Sequence, residues 1–172
     1  MNIFANLFQD WSVNKRNPKA RFVLVMFRLA QIVRRSPKPI LFFGIPYLVT
    51  YRIFVEWVLG IELPWNLRLG PNAQLHHGVG LVVNDHVLIG SNVLLRHSTT
   101  IGVKQTSAFG SMDVPVIGDY VDIGSNVVII GSIYVGDYAQ IGAGSVVVKD
   151  VPRGGVVVGN PARLLRIRQD LN

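Results

Sequence analysis

From Leu69 to Val147 an aliphatic residue returns every six positions: Leu69, Leu75, Val83, Ile89, Leu95, Ile101, Ile117, Ile123, Ile129, Val135, Ile141 and Val147. A two-residue slip near residues 81–82 and a longer insert over 103–115 interrupt the count. A six-residue period is the mark of a parallel β-helix, in which each step is a short strand and a corner. The recurring side chain points inward, and three steps close one triangular coil, so the run predicts about four to five coils. Gly follows seven of these positions directly, at Gly70, Gly90, Gly102, Gly118, Gly124, Gly136 and Gly142. The expectation is that Gly takes corner angles a β-carbon would oppose. Such a solenoid leaves a backbone edge open at each end. A helical head is expected to cover one end, and the tail with Leu164, Leu165 and Ile167 the other. The insert is too polar to continue a coil and should loop out on one face.

The preceding residues read differently. Phe4, Leu7, Phe8 and Trp11 fall at helical spacing, and a break at Asn17-Pro18 precedes a second helical run from about Arg21 to Arg35. After Ser36-Pro37-Lys38-Pro39 a third run leads from about Ile40 to Gly60, where Arg52 and Glu56 can pair. The chain therefore divides into a helical segment (1–60), a β-helix body (61–163) and a short tail (164–172). Of the net charge of +7, the head holds all: nine Lys and Arg stand there against Asp10 and Glu56. Such a head suggests an anionic partner. Nucleic acid is not expected, because no nucleic-acid-binding signature accompanies the charge. The apolar faces of the head pack within the molecule or on a sister subunit, or they form a basic amphipathic surface making peripheral contact with a membrane; the sequence leaves both open. The longest apolar run, residues 40–51, falls short of the roughly 20 residues of a spanning helix. No secretory signal is evident, so the expected location is cytoplasmic or at the inner face of the cytoplasmic membrane. The absence of cysteine removes thiolate metal sites and a cysteine nucleophile.

The repeat, the stretch Leu75-His76-His77-Gly78-Val79-Gly80-Leu81-Val82-Val83, the run Ile141-Gly142-Ala143-Gly144-Ser145 and the ending Gly159-Asn160-Pro161-Ala162-Arg163 resemble the serine acetyltransferase branch of the hexapeptide-repeat acyltransferases. Within it the colanic acid and exopolysaccharide acetyltransferases are most similar, as Asp10-Trp11, Asn17, Arg21-Phe22, Tyr51-Arg52 and Glu56-Trp57 in the head also indicate. The resemblance implies a mainly β, single-stranded left-handed parallel β-helix, a homotrimer with active sites between neighbouring prisms, and acetyl-CoA as donor. It implies that His77 is the general base and that Glu62 orients it. Chemistry agrees: a hydroxyl needs a base whose pKa lies near the working pH, which imidazole provides.

Departures from serine acetyltransferase bear on the acceptor. His76 stands where that family has an Asp before the base, and Val114 where it has a His before Pro115. Those groups would hold serine's charges, so their loss suits a saccharide or lipid-linked oligosaccharide; serine O-acetylation is the alternative. His76, Arg96 and His97 are the candidate acceptor-binding residues. For the donor, alignment implies Gly124, Ser125, Gly142 and Ala143 along the pantetheine arm. Arg163 beside Pro161, with Lys149 or Arg166 helping, would meet the phosphates. His86 reads as a surface turn residue. No metal is expected: a zinc β-helix needs three placed His ligands, and the four His lack that spacing. A non-catalytic scaffold is the remaining alternative.

Overall fold

A computed structural model describes residues 3–103 and 114–169. Most of the expected 103–115 loop, and the last three residues of the tail, lie outside the described residues. The head contains α1 (Ile3–Leu7), α2 (Pro18–Arg35) and α3 (Lys38–Tyr51), the last running on as a π-helical stretch, Arg52–Val58. Asn17-Pro18 is the start of α2 and not a break before it. Asn17 Oδ1 accepts from Ala20 N–H at 3.0 Å, and Pro18 occupies the first turn, where its missing donor costs nothing.

The body begins at Ile61, eight residues before the sequence period becomes visible. Its strands fall on three faces. One holds β1 (Ile61–Glu62), β4 (Leu81–Val83), β7 (Thr100–Gly102), β10 (Val128–Ile130) and β13 (Val146–Val147). The second holds β2 (Arg68–Leu69), β5 (Leu88–Ile89), β8 (Val116–Ile117) and β11 (Tyr134–Val135). The third holds β3 (Gln74–His76), β6 (Leu94–Arg96), β9 (Asp122–Ile123), β12 (Gln140–Ile141) and β14 (Gly155–Gly159). All pair in parallel and wind left-handed, an exception to the usual right-handed crossover. Four coils are complete, and a bridge from Val151 to Val135 supplies the second face of a fifth. Every one of the aliphatic register residues is buried, none more than 7% exposed.

The seven register glycines have a different reason from the one expected. None has a positive φ; the left-handed corner residues are mostly Asn72, Asn92, Ser98, Tyr120, Asn126 and Tyr138. At six of the seven, stacking requires glycine instead; at Gly102 a β-carbon would meet nothing within 4 Å. A β-carbon on Gly90 would lie 2.7 Å from the Gly118 carbonyl carbon one coil on, and one on Gly124 would lie 2.6 Å from Ala143 N.

The head closes the open edge of the first coil with polar side chains. Arg28 donates to Leu69 O (2.8 Å) and Gly70 O (2.7 Å), and Gln31 to Leu67 O (2.8 Å). Asn14 bridges Ala73 O (2.8 Å) and Leu75 N–H (3.2 Å), while Asn17 donates to Leu75 O (2.9 Å). Asp10 accepts from Ala73 N–H (2.8 Å) and from Arg28 Nε (2.7 Å), both side chains being buried. At the far end the tail forms β15 (Ala162–Ile167), which pairs antiparallel with β14. It covers that edge by backbone pairing, as expected of the tail, while Leu164, Leu165 and Ile167 stay exposed.

Arg28→Met should leave Asp10 as an uncompensated buried carboxylate and two coil carbonyls unpaired. The expected loss is about 3–5 kcal/mol in urea unfolding, and the double variant Asp10→Asn/Arg28→Met should lose less than Arg28→Met alone. A loss under about 1 kcal/mol for the single variant would mean that the cap does not hold the edge.

Candidate active site

The corner between β3 and β4 carries the two extra residues of the sequence slip. Leu75 is in register with Leu95 and Val83 with Ile101, so residues 75–83 span in eight steps what the next coil spans in six. The surplus leaves His77, Gly78 and Gly80 with φ of 67°, 72° and 72°. For a histidine that conformation costs about 1–2 kcal/mol. It is held by Gly80 N–H to Gly60 O (2.7 Å) and Ser98 N–H to Val79 O (2.9 Å). A side chain at Gly78 would be strained by its φ of 72°. The strained corner thrusts the His77 ring outward, exposed, at the side of an open cleft of about 390 Å³ lined by Val13, Asn14, Arg16, Asn17, His76 and His77. Asn14 and Asn17 thus serve the edge cap and the cleft together; the sequence marked Asn17 only as part of the head.

His97 stands one coil on from His77, and their rings meet edge to face at 5.7 Å. Its Nδ1 is buried with no hydrogen-bond partner among the described residues. His76 is in register with Arg96. Desolvation first, then the Arg96 and His77 charges, lower the His76 pKa against the opposing pull of Asp122. Arg96 itself is engaged: Nη1 donates to the Asp122 carboxylate and to Ile123 O (2.8 Å). Asp122 was not singled out in the sequence, because it occupies an unremarkable outward position on its strand.

Glu62 lies on β1, in register with Val82, with its side chain exposed. Among the described residues no hydrogen bond or ion pair joins it to His77. Its charge is felt by Glu56, whose pKa is raised mainly by burial, with Glu62 adding and Arg52 opposing. Glu56 and Arg52 form the expected pair at 3.2 Å.

The corners that lead from the third face to the first stack into a column: residues 77–80, then 97–99, 124–127, 142–145, and the turn after β14 that contains Pro161. His77, His97, Gly124, Ser125, Gly142, Ala143 and Pro161 therefore share one edge of the prism. A second groove of about 370 Å³ runs along it, lined by Arg96, Asp122, Gly124, Ser125, Gly142 and Ala143 among others. The backbone N–H groups of Ser125 and Ala143 donate to no group among the described residues, so they are free to meet an amide carbonyl of a ligand. Arg163 and Arg166 project from exposed β15, in register with Val158 and Val156. Lys149 follows β13, at the other end of the first face, and does not line the groove.

Val114 falls beside Asp85 and His86 on a separate depression of about 430 Å³. His86 is the surface turn residue expected, its Nδ1 2.6 Å from Asp85 Oδ1 and its side chain more than half exposed. A larger cavity, about 650 Å³, lies between the head and the β2–β5 face and is lined by none of the predicted site residues.

No family model matches the chain. The Escherichia coli K12 protein named as a colanic acid biosynthesis acetyltransferase, WcaB, is 42% identical over 123 residues, 72% of this chain and 74% of that protein. Serine acetyltransferase 2 of Arabidopsis thaliana is 38% identical over 67% of this chain but only 35% of its own length. In structure, the soybean serine acetyltransferase apoenzyme superposes with a TM-score of 0.79 at 29% identity, covering 95% of this chain and 69% of its own. The Brucella abortus serine acetyltransferase in complex with coenzyme A gives 0.76 at 29% identity, covering 94% and 67%. With the coil, the histidine corner and these likenesses together, the chain belongs to the hexapeptide-repeat acyltransferases, in the branch shared by serine and colanic acid acetyltransferases, and is an acetyltransferase.

Proposed function

We propose that the chain transfers an acetyl group from acetyl-CoA to a hydroxyl of a saccharide in the building of a surface polysaccharide, with His77 as general base. The observation that carries this is the lengthened corner, which spends backbone strain to hold one imidazole over an open cleft. The corners stacked on it carry one left-handed residue each, Ser98, Asn126 and Gly144, whereas this one carries three, and local strain of that kind is a feature of functional sites. His77 takes the proton as the acceptor oxygen attacks the thioester carbonyl, and returns it to the departing thiolate. Glu62 orients the imidazole; catalytic hydrogen bonds that are open in the free enzyme commonly tighten only with substrate.

The column of corners suits the donor. Stacked strands are about 4.8 Å apart, so the four steps from the His77 coil to the Pro161 turn span about 19 Å. An extended pantetheine arm laid there meets the free N–H groups of Ser125 and Ala143, with its phosphates at Arg163 and Arg166. We read Arg96 as a wall of this groove, since Asp122 already occupies its guanidinium, and His97 as a contact to the acceptor beside His77. We further read the working form as a trimer, in which a neighbouring chain closes a cleft that is open on one side here. Use of acetyl-CoA goes with a cytoplasmic location. For the acceptor, His76 is an imidazole and not a carboxylate, so it supplies no anion for an ammonium group. That favours an uncharged hydroxyl, in keeping with the likeness to WcaB over three-quarters of its length.

Thiol release from acetyl-CoA, followed with serine and with acidic and neutral polysaccharide repeats, tests the acceptor; equal turnover of serine and the best glycan would defeat the saccharide reading. His77→Ala should cut acetyl transfer by about two to four powers of ten while the assembly keeps its mass by light scattering. Retention of more than a few per cent would remove His77 from the mechanism. Arg163→Ala should raise KM for acetyl-CoA by about tenfold or more, with kcat little changed. An unchanged KM would take Arg163 out of donor binding.

A further inference from the structure

We infer that α3 and its π-helical extension form an in-plane docking surface for an anionic lipid bilayer. Together they make a continuous helical rod, Lys38–Val58, of 21 residues, with a mean hydropathy of 1.3 over its most apolar stretch, and only Leu48, Tyr51 and Val55 along it are buried. This is longer than the apolar run legible in the sequence. Among the described residues it is the one helix long and apolar enough, by length and composition, to cross a membrane. Its outward side carries large apolar groups with no partner in the chain's core: Phe43 is 82% exposed and Trp57 72%, with Ile40, Phe42, Ile53 and Val58 also exposed. A contiguous apolar surface of this kind marks a binding site, and exposed aromatic rings favour the headgroup region of a bilayer.

Charge selects the occupant. Both carboxylates of the head are withdrawn from the surface: Asp10 is buried against Arg28, and Glu56 is 13% exposed and paired with Arg52. The exposed charge of the described head is therefore cationic alone. Its placement frames the rod. Gly44 packs on Val33, Tyr47 donates to Met26 O, and Phe54 touches the Phe22 ring, so α2 and α3 run antiparallel. Arg34, Arg35 and Lys38 consequently lie at one end of the apolar side, and Lys15, Arg16 and Lys19 toward the other. Apolar groups flanked by exposed cations match an anionic lipid interface. A second copy docked on the same side would bring like charges together.

The rod lies on the bilayer and does not cross it, because its inner side is fastened to the body. Leu48, Tyr51 and Val55 are buried, Tyr51 donates to Leu63 O at 2.6 Å, and the Arg52 guanidinium sits 4.5 Å from the Trp65 ring centroid. Insertion across lipid would strip all of these. The surface holds whether or not the acceptor is a saccharide, so its failure and that of the catalytic reading are separable.

The test uses the full chain with vesicles of phosphatidylcholine alone or mixed with phosphatidylglycerol. Sedimentation with the mixed vesicles at low salt, and release at high salt, are expected. Phe43→Glu/Trp57→Glu and Arg34→Glu/Arg35→Glu should each lower the bound fraction at least about tenfold. Both should keep wild-type mass by light scattering and wild-type thiol release from acetyl-CoA in solution. Failure to sediment with mixed vesicles, or equal sedimentation of wild type and variants, overturns the inference. A fall in mass for either variant overturns it in favour of a contact between copies of the chain. Binding that resists alkaline carbonate overturns the in-plane geometry.

Discussion

A coil that stacks by backbone hydrogen bonds must begin somewhere, and its first turn presents unpaired carbonyl and amide groups. In this chain those groups are met by side chains, not by another strand. Arg28, Gln31, Asn14, Asn17, Asp10 and Tyr51 together serve backbone groups of Leu63, Leu67, Leu69, Gly70, Ala73 and Leu75. The match explains why a charged pair, Asp10 and Arg28, is buried where a purely apolar cap would serve packing better. Apolar residues would leave the carbonyls without donors, and a buried unsatisfied group costs more than the pair. It also explains the asymmetry of the two ends. The last coil is finished by β15, whose backbone supplies the pairing, so its side chains are free to face outward.

The same stacking sets the site. Coils that rest on each other at about 4.8 Å leave no room for a β-carbon where one corner sits over the next, and glycine follows from that contact. Left-handed angles are then carried largely by Asn, Ser and Tyr at the following positions. Only the His77 corner departs, by two residues, from a rule that the rest of the column obeys. A departure in so regular a structure stands out, and it coincides with the cleft that Asn14 and Asn17 help to build. Catalytic position and edge cap are thus one construction.

The period was legible because a β-helix is close to one-dimensional: each register residue answers to a neighbour one coil away. His97 follows His77 by one coil of twenty residues, so their contact could be foreseen. The polar cap could not, because Arg28 and Leu69, or Asn14 and Ala73, are separated by 41 and 59 residues with no repeat linking them. Asp122, which holds Arg96 across 26 residues, carries no mark of its own in the repeat. The reason for the glycines was misjudged because a sequence lists residues along one strand, whereas the constraint comes from the strand above. Glu62 was identified through resemblance alone, because its exposed place on β1 carries no mark in the repeat.

The head therefore has two sides with different duties. Its inner side is polar and matched, group by group, to the coil edge beside His77. Its outer side is apolar and edged with cations. Because the same short helices carry both, whatever holds the outer side also holds the catalytic corner, through hydrogen bonds of 2.6–3.2 Å and no intervening hinge. On the proposed reading the donor's phosphates sit at the far end of the column, near Arg163, while the acceptor arrives at the head end. The two substrates would then approach along opposite ends of the prism and meet only at the first coil. A fixed head makes that arrangement useful: it keeps the acceptor cleft toward the lipid and leaves the donor groove open to solution.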